Sequence, residues 1–257
     1  MNDKIWKSSI TDIKPNKILV RGYPLDELIG KATYPRMIYL LIKGEMPEEN
    51  VGKMLDAILV SSVDHGVTPP STLAARTVTS TGAPINSGIA AGILSISRFH
   101  GGAIEECMNA LHYGVEKSEK SNVSLEDSAK SIIEEYKGKK MRLSGFGHRI
   151  HTDDPRTRKI FAISDTLGIS GKFVAMARAF EKAFKEKGKS LPINVDGAIA
   201  AILCEIDIPS ELSNAFFMIA RLPGLITHIL EERNREKTMR RILPDNWEYD
   251  GPDERHL

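Results

Sequence analysis

Glycine, histidine, acid and arginine crowd into one short stretch, SGFGHRIHTDDPR, from Ser144 to Arg156. Gly145 and Gly147 lack a Cβ, so the chain can turn sharply there and its amides can lie against a bulky ligand such as a nucleotide-bearing cofactor. His148 then has room to face a reacting group. Asp154-Pro155 reads as a helix N-cap followed by first-turn proline, which places Arg156 near the positive end of a new helix. Histidines and arginines beside helix N-termini suit an anionic substrate. The loop alone also has a bland reading, because Gly-x-Gly is a weak signal and a lone histidine is commonly packed or solvated.

Three other positions carry chemistry-bearing types in informative surroundings. His100 is followed by Gly101-Gly102 and stands between small-residue segments, although a packed helix-end histidine would look the same. Asp196 opens DGAIAAILCEI, where it also fits as the N-cap of a helix over 197–205. Arg221 lies inside the apolar run FFMIARLPG, and a charge there needs a partner, either a ligand or a structural acid.

The elements that must position these groups are predicted to be helices. Residues 5–24 mix β-branched residues with Pro15 and Gly22 and read as an extended arm or short strands. After them the helical period persists: 25–29, 34–42 closed by Gly44, 48–61, a helix from Pro69-Pro70 to Gly82, 85–98, 103–117, 123–136, 155–167, 171–187, 197–205 and a long last helix after Pro209. The segment INSGIAAGILSISR is small and apolar on nearly every side, which predicts a central helix or a subunit interface. No repeat and no strand–helix alternation is visible, so the fold class is all-α.

Composition narrows the partners. A net charge of +1 over 257 residues gives no case for nucleic acid. Cys107 and Cys204 have neither CxxC nor metal-ligand spacing and read as buried thiols of a reducing compartment. No apolar signal core or membrane-length apolar run occurs, which predicts a cytoplasmic protein without a membrane partner. Histidines 65, 100 and 148 lack the spacing of a metal site, and no Walker or Rossmann glycine pattern implies a nucleotide cofactor.

Six motifs in one order resemble the citrate synthase superfamily: RGYPLDELIGKATYPRMIYLLIKGEMP, VDHGVTPPS, RFHGGAIEECM, GFGHRI followed by DPR, LPINVDGAIAAIL, and FFMIARLPGLITHILEE. The resemblance covers about residues 18 to 245. Between Pro47 and Asp64 the chain is short where full-length citrate synthases carry further large-domain helices. That minimal form resembles citryl-CoA lyases and the C-terminal module of ATP-citrate lyase. The loop from His148 to DPR is also one residue shorter than the family's usual form, so Arg156 is placed by its motif.

The resemblance implies a citrate synthase-like helical fold with a reduced large domain and a small domain, the site lying in the cleft between them. Residues 1–102 and 210–257 would form the large, dimerising domain and residues 103–209 the small one. It further implies that His148 handles the substrate hydroxyl, His100 the thioester oxygen and Asp196 proton exchange at the acetyl carbon. Those types suit the tasks, since a neutral imidazole can donate to an enol oxygen and a carboxylate can exchange a carbon-bound proton. Arg156, Arg221 and His65 match the groups that hold oxaloacetate, bidentate arginine being suited to carboxylates. A further arginine comes from the neighbouring subunit; Arg240 and Arg241 both stand near its place, and spacing favours Arg241. Backbone at Ser144, Gly145, Phe146 and Gly147 would lie against the adenine part of coenzyme A, with Arg149 or nearby lysines toward its phosphates. His112, His151 and His228 are read as surface or packing residues.

The expected activity is citryl-CoA cleavage to acetyl-CoA and oxaloacetate, with a coenzyme A thioester as substrate and no metal. Citryl-CoA would come from a separate ATP-dependent ligase. The alternatives are a citrate synthase, a relative using another acyl-CoA or 2-oxoacid, and, in a different class, a non-catalytic CoA-binding or scaffold subunit.

Overall fold

A computed structural model describes residues 6–147 and 153–256. Its helices, in chain order, are α1 (Leu25–Leu28), α2 (Tyr34–Lys43), α3 (Glu49–Ser61), α4 (Pro70–Ser80), α5 (Ile85–Leu94), α6 (Ala103–Ser121), α7 (Leu125–Gly138), α8 (Pro155–Leu167), α9 (Lys172–Glu186), α10 (Val195–Glu205) and α11 (Ser213–Arg235). The fold class is all-α, as the helical period predicts. The chain divides into two compact units, Met1–Val63 with Ser97–Ala220 and Asp64–Ile96 with Arg221–Leu257.

In the first unit the N-terminal stretch forms an antiparallel meander, β1 (Thr11–Lys14), β2 (Lys17–Val20) and β3 (Tyr23–Pro24). Arg21 and Gly22 link β2 to β3 with φ of 49° and 86°, the left-handed pair that a tight two-residue hairpin needs. Val20, Leu28 and Leu40 form a small core that joins this sheet to α1 and α2. The main core lies among α6, α7, α9 and α10, with Phe180, Met176, Leu111, Met108 and Ile132 fully buried. Every residue of α10 from Gly197 to Cys204 is buried, which accounts for a helix without a polar face. Such a helix is a fixed post: what stands at its first turn cannot drift.

The second unit packs α4 against α5 and the C-terminal part of α11 around Ala75, Leu225 and Ile229. The small side of α5 is used here, with Gly88 against Ile229 and Gly92 against Leu225. Arg76 and Glu232 are buried in the same unit; Arg76 Nε donates to Glu232 at 2.6 Å. Arg240 completes the network with a two-pronged fork on Glu232, 3.0 and 2.6 Å. Each buried charge therefore has a partner, as charge burial demands.

Several boundaries depart from the sequence expectation: α6 runs on to Ser121, α7 starts at Leu125 and α10 starts at Val195. The helix predicted over 85–98 stops at Leu94, because Ser97 exchanges backbone hydrogen bonds with His100, 2.9 Å each way. Apolar periodicity continues through this point, but the backbone turns.

Candidate active site

Asn194, and not Asp196, caps α10. Its side chain accepts from the Gly197 amide at 3.1 Å, so Asp196 is the second residue of the helix and sits inside its first turn. The expected cap role of Asp196 for a helix over 197–205 is thereby corrected. Asn and Asp are near-equal caps, and two residues apart the sequence could not choose between them. A carboxylate in the first helical turn is favoured by the exposed N–H groups and the dipole of the helix.

The glycine stretch is fastened to the same place. Phe146 bridges Ile193 in antiparallel fashion; Gly147 N–H donates to Pro192 O at 2.7 Å, and Asn194 N–H donates to Gly145 O at 3.0 Å. Gly145, at φ 88°, lies so close to Gly197 Cα and Cys107 that an added Cβ would stand 2.9 Å from the first and 2.6 Å from the Cys107 sulfur. Glycine is needed here for close approach as well as for a left-handed turn. Phe146 is anchored edge-on to Phe180, and Ser144 Oγ donates to Glu106 at 2.7 Å. Ser144 to Gly147 are thus held between α6 and the start of α10. His148, Arg149 and His151 lie outside the described residues.

Cys107 is fully buried beneath this joint. Burial pushes its thiol well up from the usual range, and the nearby Asp196 carboxylate adds to the effect. Burial likewise pushes up Cys204, with Cys107 and Glu205 contributing.

His100 sits at a tight reversal. Ser97 O accepts from both His100 N–H and Gly102 N–H, 2.9 and 3.1 Å, and the His100 ring meets Phe217 edge-on with centroids 5.7 Å apart. Any side chain at 102 would run into the Arg98 backbone, 2.6 Å from its Cα. The Gly-Gly after His100 is what lets the chain reverse and start α6 at once.

Arg156 stands in the first turn of α8, as predicted. Its partner was not predicted: Asp154, only 2% exposed, accepts from Arg156 Nε at 3.0 Å and Nη2 at 2.8 Å while also capping the helix through Arg156 N–H. One edge of the guanidinium is therefore fixed by the protein, which orients the other edge.

In the second unit His65 is exposed, next to Asp64. Asp64 accepts from His228 at 3.0 Å and from Gly66 N–H at 2.9 Å. Partial burial would raise its carboxyl, but the Gly66 amide, His228 and the His65 amide outweigh that and hold it below its usual value. His228 is thus a tie to the His65 loop, which its helical context alone did not reveal. Arg221 is 3% exposed in mid-α11, two residues before Pro223. Arg240 has its fork on Glu232, while Arg241 is exposed. His112 packs edge-on against Phe173, 4.7 Å between centroids. Among the described residues no three His, Cys, Asp or Glu are grouped to hold a metal ion, and no helix is long and apolar enough to cross a membrane.

Residues 48–242 match a family profile described as citrate synthase, C-terminal domain. Citrate synthase of Haloferax volcanii is 30% identical over 220 residues, 84% of this chain and 55% of that protein. The chain spans about half the length of the curated relatives it matches first. Among solved structures, citryl-CoA lyase from Hydrogenobacter thermophilus superposes with a TM-score of 0.88 at 39% identity, covering 99% of this chain and 98% of that one. ATP citrate lyase from Methanothrix soehngenii, in complex with citrate and coenzyme A, superposes with a TM-score of 0.87 at 20% identity over 99% of this chain and 43% of that one.

Proposed function

The chain belongs to the citrate synthase family, and from that premise we propose that it is a citryl-CoA lyase cleaving (3S)-citryl-CoA to acetyl-CoA and oxaloacetate. The observation that carries this reading is the end-to-end match to a citryl-CoA lyase at 39% identity and a TM-score of 0.88, whereas solved citrate synthases superpose with TM-scores of only 0.58 to 0.62. A lyase needs only carbon–carbon cleavage; a synthase must also hydrolyse the thioester.

In the proposed reaction His148 takes the proton of the citryl hydroxyl. The oxyanion collapses to the ketone of oxaloacetate, the carbon–carbon bond breaks, and its electron pair passes into the thioester as an enolate. His100 donates a hydrogen bond to the thioester oxygen where that charge gathers. Asp196, entering the cycle as the carboxylic acid, delivers its proton to the enolate carbon, giving the methyl group of acetyl-CoA. His148 then releases the hydroxyl proton to solvent and Asp196 takes one up, which closes the cycle. The tight reversal at His100 and the fixed first turn of α10 support these two roles. Arg156, Arg221 and His65 are assigned to the oxaloacetate carboxylates, and the Asp154 brace on Arg156 suits a guanidinium that must present one edge. Ser144, Gly145, Phe146 and Gly147 are assigned to the adenine portion of coenzyme A, with Arg149 toward its phosphates.

The same reading includes a homodimer or higher homo-oligomer in which a partner subunit completes each site. Arg241 suits that task better than Arg240, whose fork is spent on Glu232. Exposed Ile85, Leu94, Ile226 and Leu230 in the second unit supply apolar surface for a subunit contact. Residues 1–102 and 210–257 are assigned to the dimerising part and 103–209 to the smaller one. The enzyme is placed in the cytoplasm, and a separate ATP-dependent ligase forms its substrate. Chromatography of a citryl-CoA incubation tests the activity: acetyl-CoA and oxaloacetate in equal amounts are expected, and citrate with free CoA would point to hydrolysis instead.

A further inference from the structure

We propose that Asn194 is a positioning residue that locks the glycine stretch and the start of α10 into one rigid part. This rests on the reading of Asp196 as the proton carrier and of Ser144 to Gly147 as a coenzyme A contact. Three polar groups of Asn194 are committed to the joint. Its backbone N–H donates to Gly145 O at 3.0 Å, its Nδ2 donates to Gly147 O at 2.8 Å, and its Oδ1 accepts from Gly197 N–H at 3.1 Å.

Geometry makes this more than a helix cap. The two side-chain bonds run to opposite sides, one to the loop at 147 and one into α10 beside Asp196. A cap alone would be served by Ser or Asp at this position. A serine hydroxyl also donates and accepts, but from one atom close to the backbone. The amide carries its acceptor and its donor on two separate atoms further out, so it reaches the helix and the loop carbonyl at once, and its planar shape fixes the distance between them. Ser144 Oγ on Glu106 and Gly147 N–H on Pro192 hold the loop's flanks, so the amide bridges a gap whose two sides are already placed. The consequence is that a thioester seated on the loop has its acetyl carbon at a set height relative to Asp196.

The substitution that separates the two duties is Asn194→Ser, which keeps a capping oxygen but cannot span to Gly147. Asn194→Ala removes both. The expected result for Asn194→Ser is a thermal midpoint close to that of the parent, a kcat for citryl-CoA about 10- to 100-fold lower, and a raised KM. Asn194→Ala should show the same kinetic loss with a lower midpoint as well. Hydrogen exchange reads the joint without depending on the reaction: amides in 145–147 and 194–197 should exchange faster in the serine variant. Serine with parent kcat and KM in an active parent overturns the positioning role while leaving the lyase reading intact. A parent inactive on citryl-CoA overturns both, and unchanged exchange in the serine variant overturns the rigid joint itself.

Discussion

The proposed role of Asp196, moving a proton at carbon, requires a carboxyl group that is held still, and the first turn of α10 holds it between a capped helix start and the Gly145–Gly197 contact. Asp196→Asn keeps size and shape but cannot exchange a proton, so kcat should fall about 100- to 10,000-fold with an unchanged circular dichroism spectrum. Turnover within a few fold of the parent would remove Asp196 from the mechanism. The thiols give an independent check on how tightly this region is packed. Because burial drives Cys107 and Cys204 upward, both stay protonated at pH 8 and neither should react with an aromatic disulfide reagent until the protein is denatured. A thiol titrating at once in the folded protein would contradict the packing. At this scale residue types were legible but their partners were not. Arg156 could be picked out from DPR, yet its fork with Asp154 depends on rotamers, and Asn194 was hidden because a neighbouring acid looked like an equally good cap.

Elements were easier to read than contacts, because their ends carry their own chemistry. Gly44 and Gly168 adopt left-handed conformations that close α2 and α8, the first as the pattern predicts. The end of α5 was missed because a reversal at Ser97–His100 leaves no trace in apolar period. The small face of α5 makes a test: Gly92→Leu brings a side chain to where a Cβ already stands 2.9 Å from Leu225, and overpacking should destabilise by about 1–3 kcal/mol. No change in the thermal midpoint would place that glycine elsewhere than in a tight contact. The end of α11 makes another. Burial raises the Glu232 carboxyl, but hydrogen bonds from Arg240 and Arg76 outweigh it and hold it below its ordinary 4.5. A folded value under the unfolded one adds stability that is present above pH 4.5 and is lost as pH falls through the folded value. Glu232→Gln should therefore be clearly less stable than the parent at pH 7, and the gap should shrink below pH 4.5. A gap that stays constant down to pH 3 would mean that the arginines do not act on Glu232 as charges.

For the whole molecule, the six ordered motifs made the family legible, and the family match and the superposition agree with that expectation. Quaternary structure was not legible in the same way, since no motif in one chain states what a second chain adds. If Arg241 serves the partner's site, Arg241→Ala and Asp196→Asn are each inactive alone but complement when mixed. Random exchange in a closed dimer makes half of the molecules mixed, each with one intact site, so activity should recover to about a quarter of the parent's. No recovery after confirmed exchange would put Arg241 outside the site. The most direct test of the central claim offers the purified protein citryl-CoA in one cuvette and acetyl-CoA with oxaloacetate in another, following oxaloacetate and free thiol together. Cleavage predicts oxaloacetate from citryl-CoA with no free thiol; free CoA and citrate formed in the second cuvette at turnover rates would contradict it and make the protein a synthase.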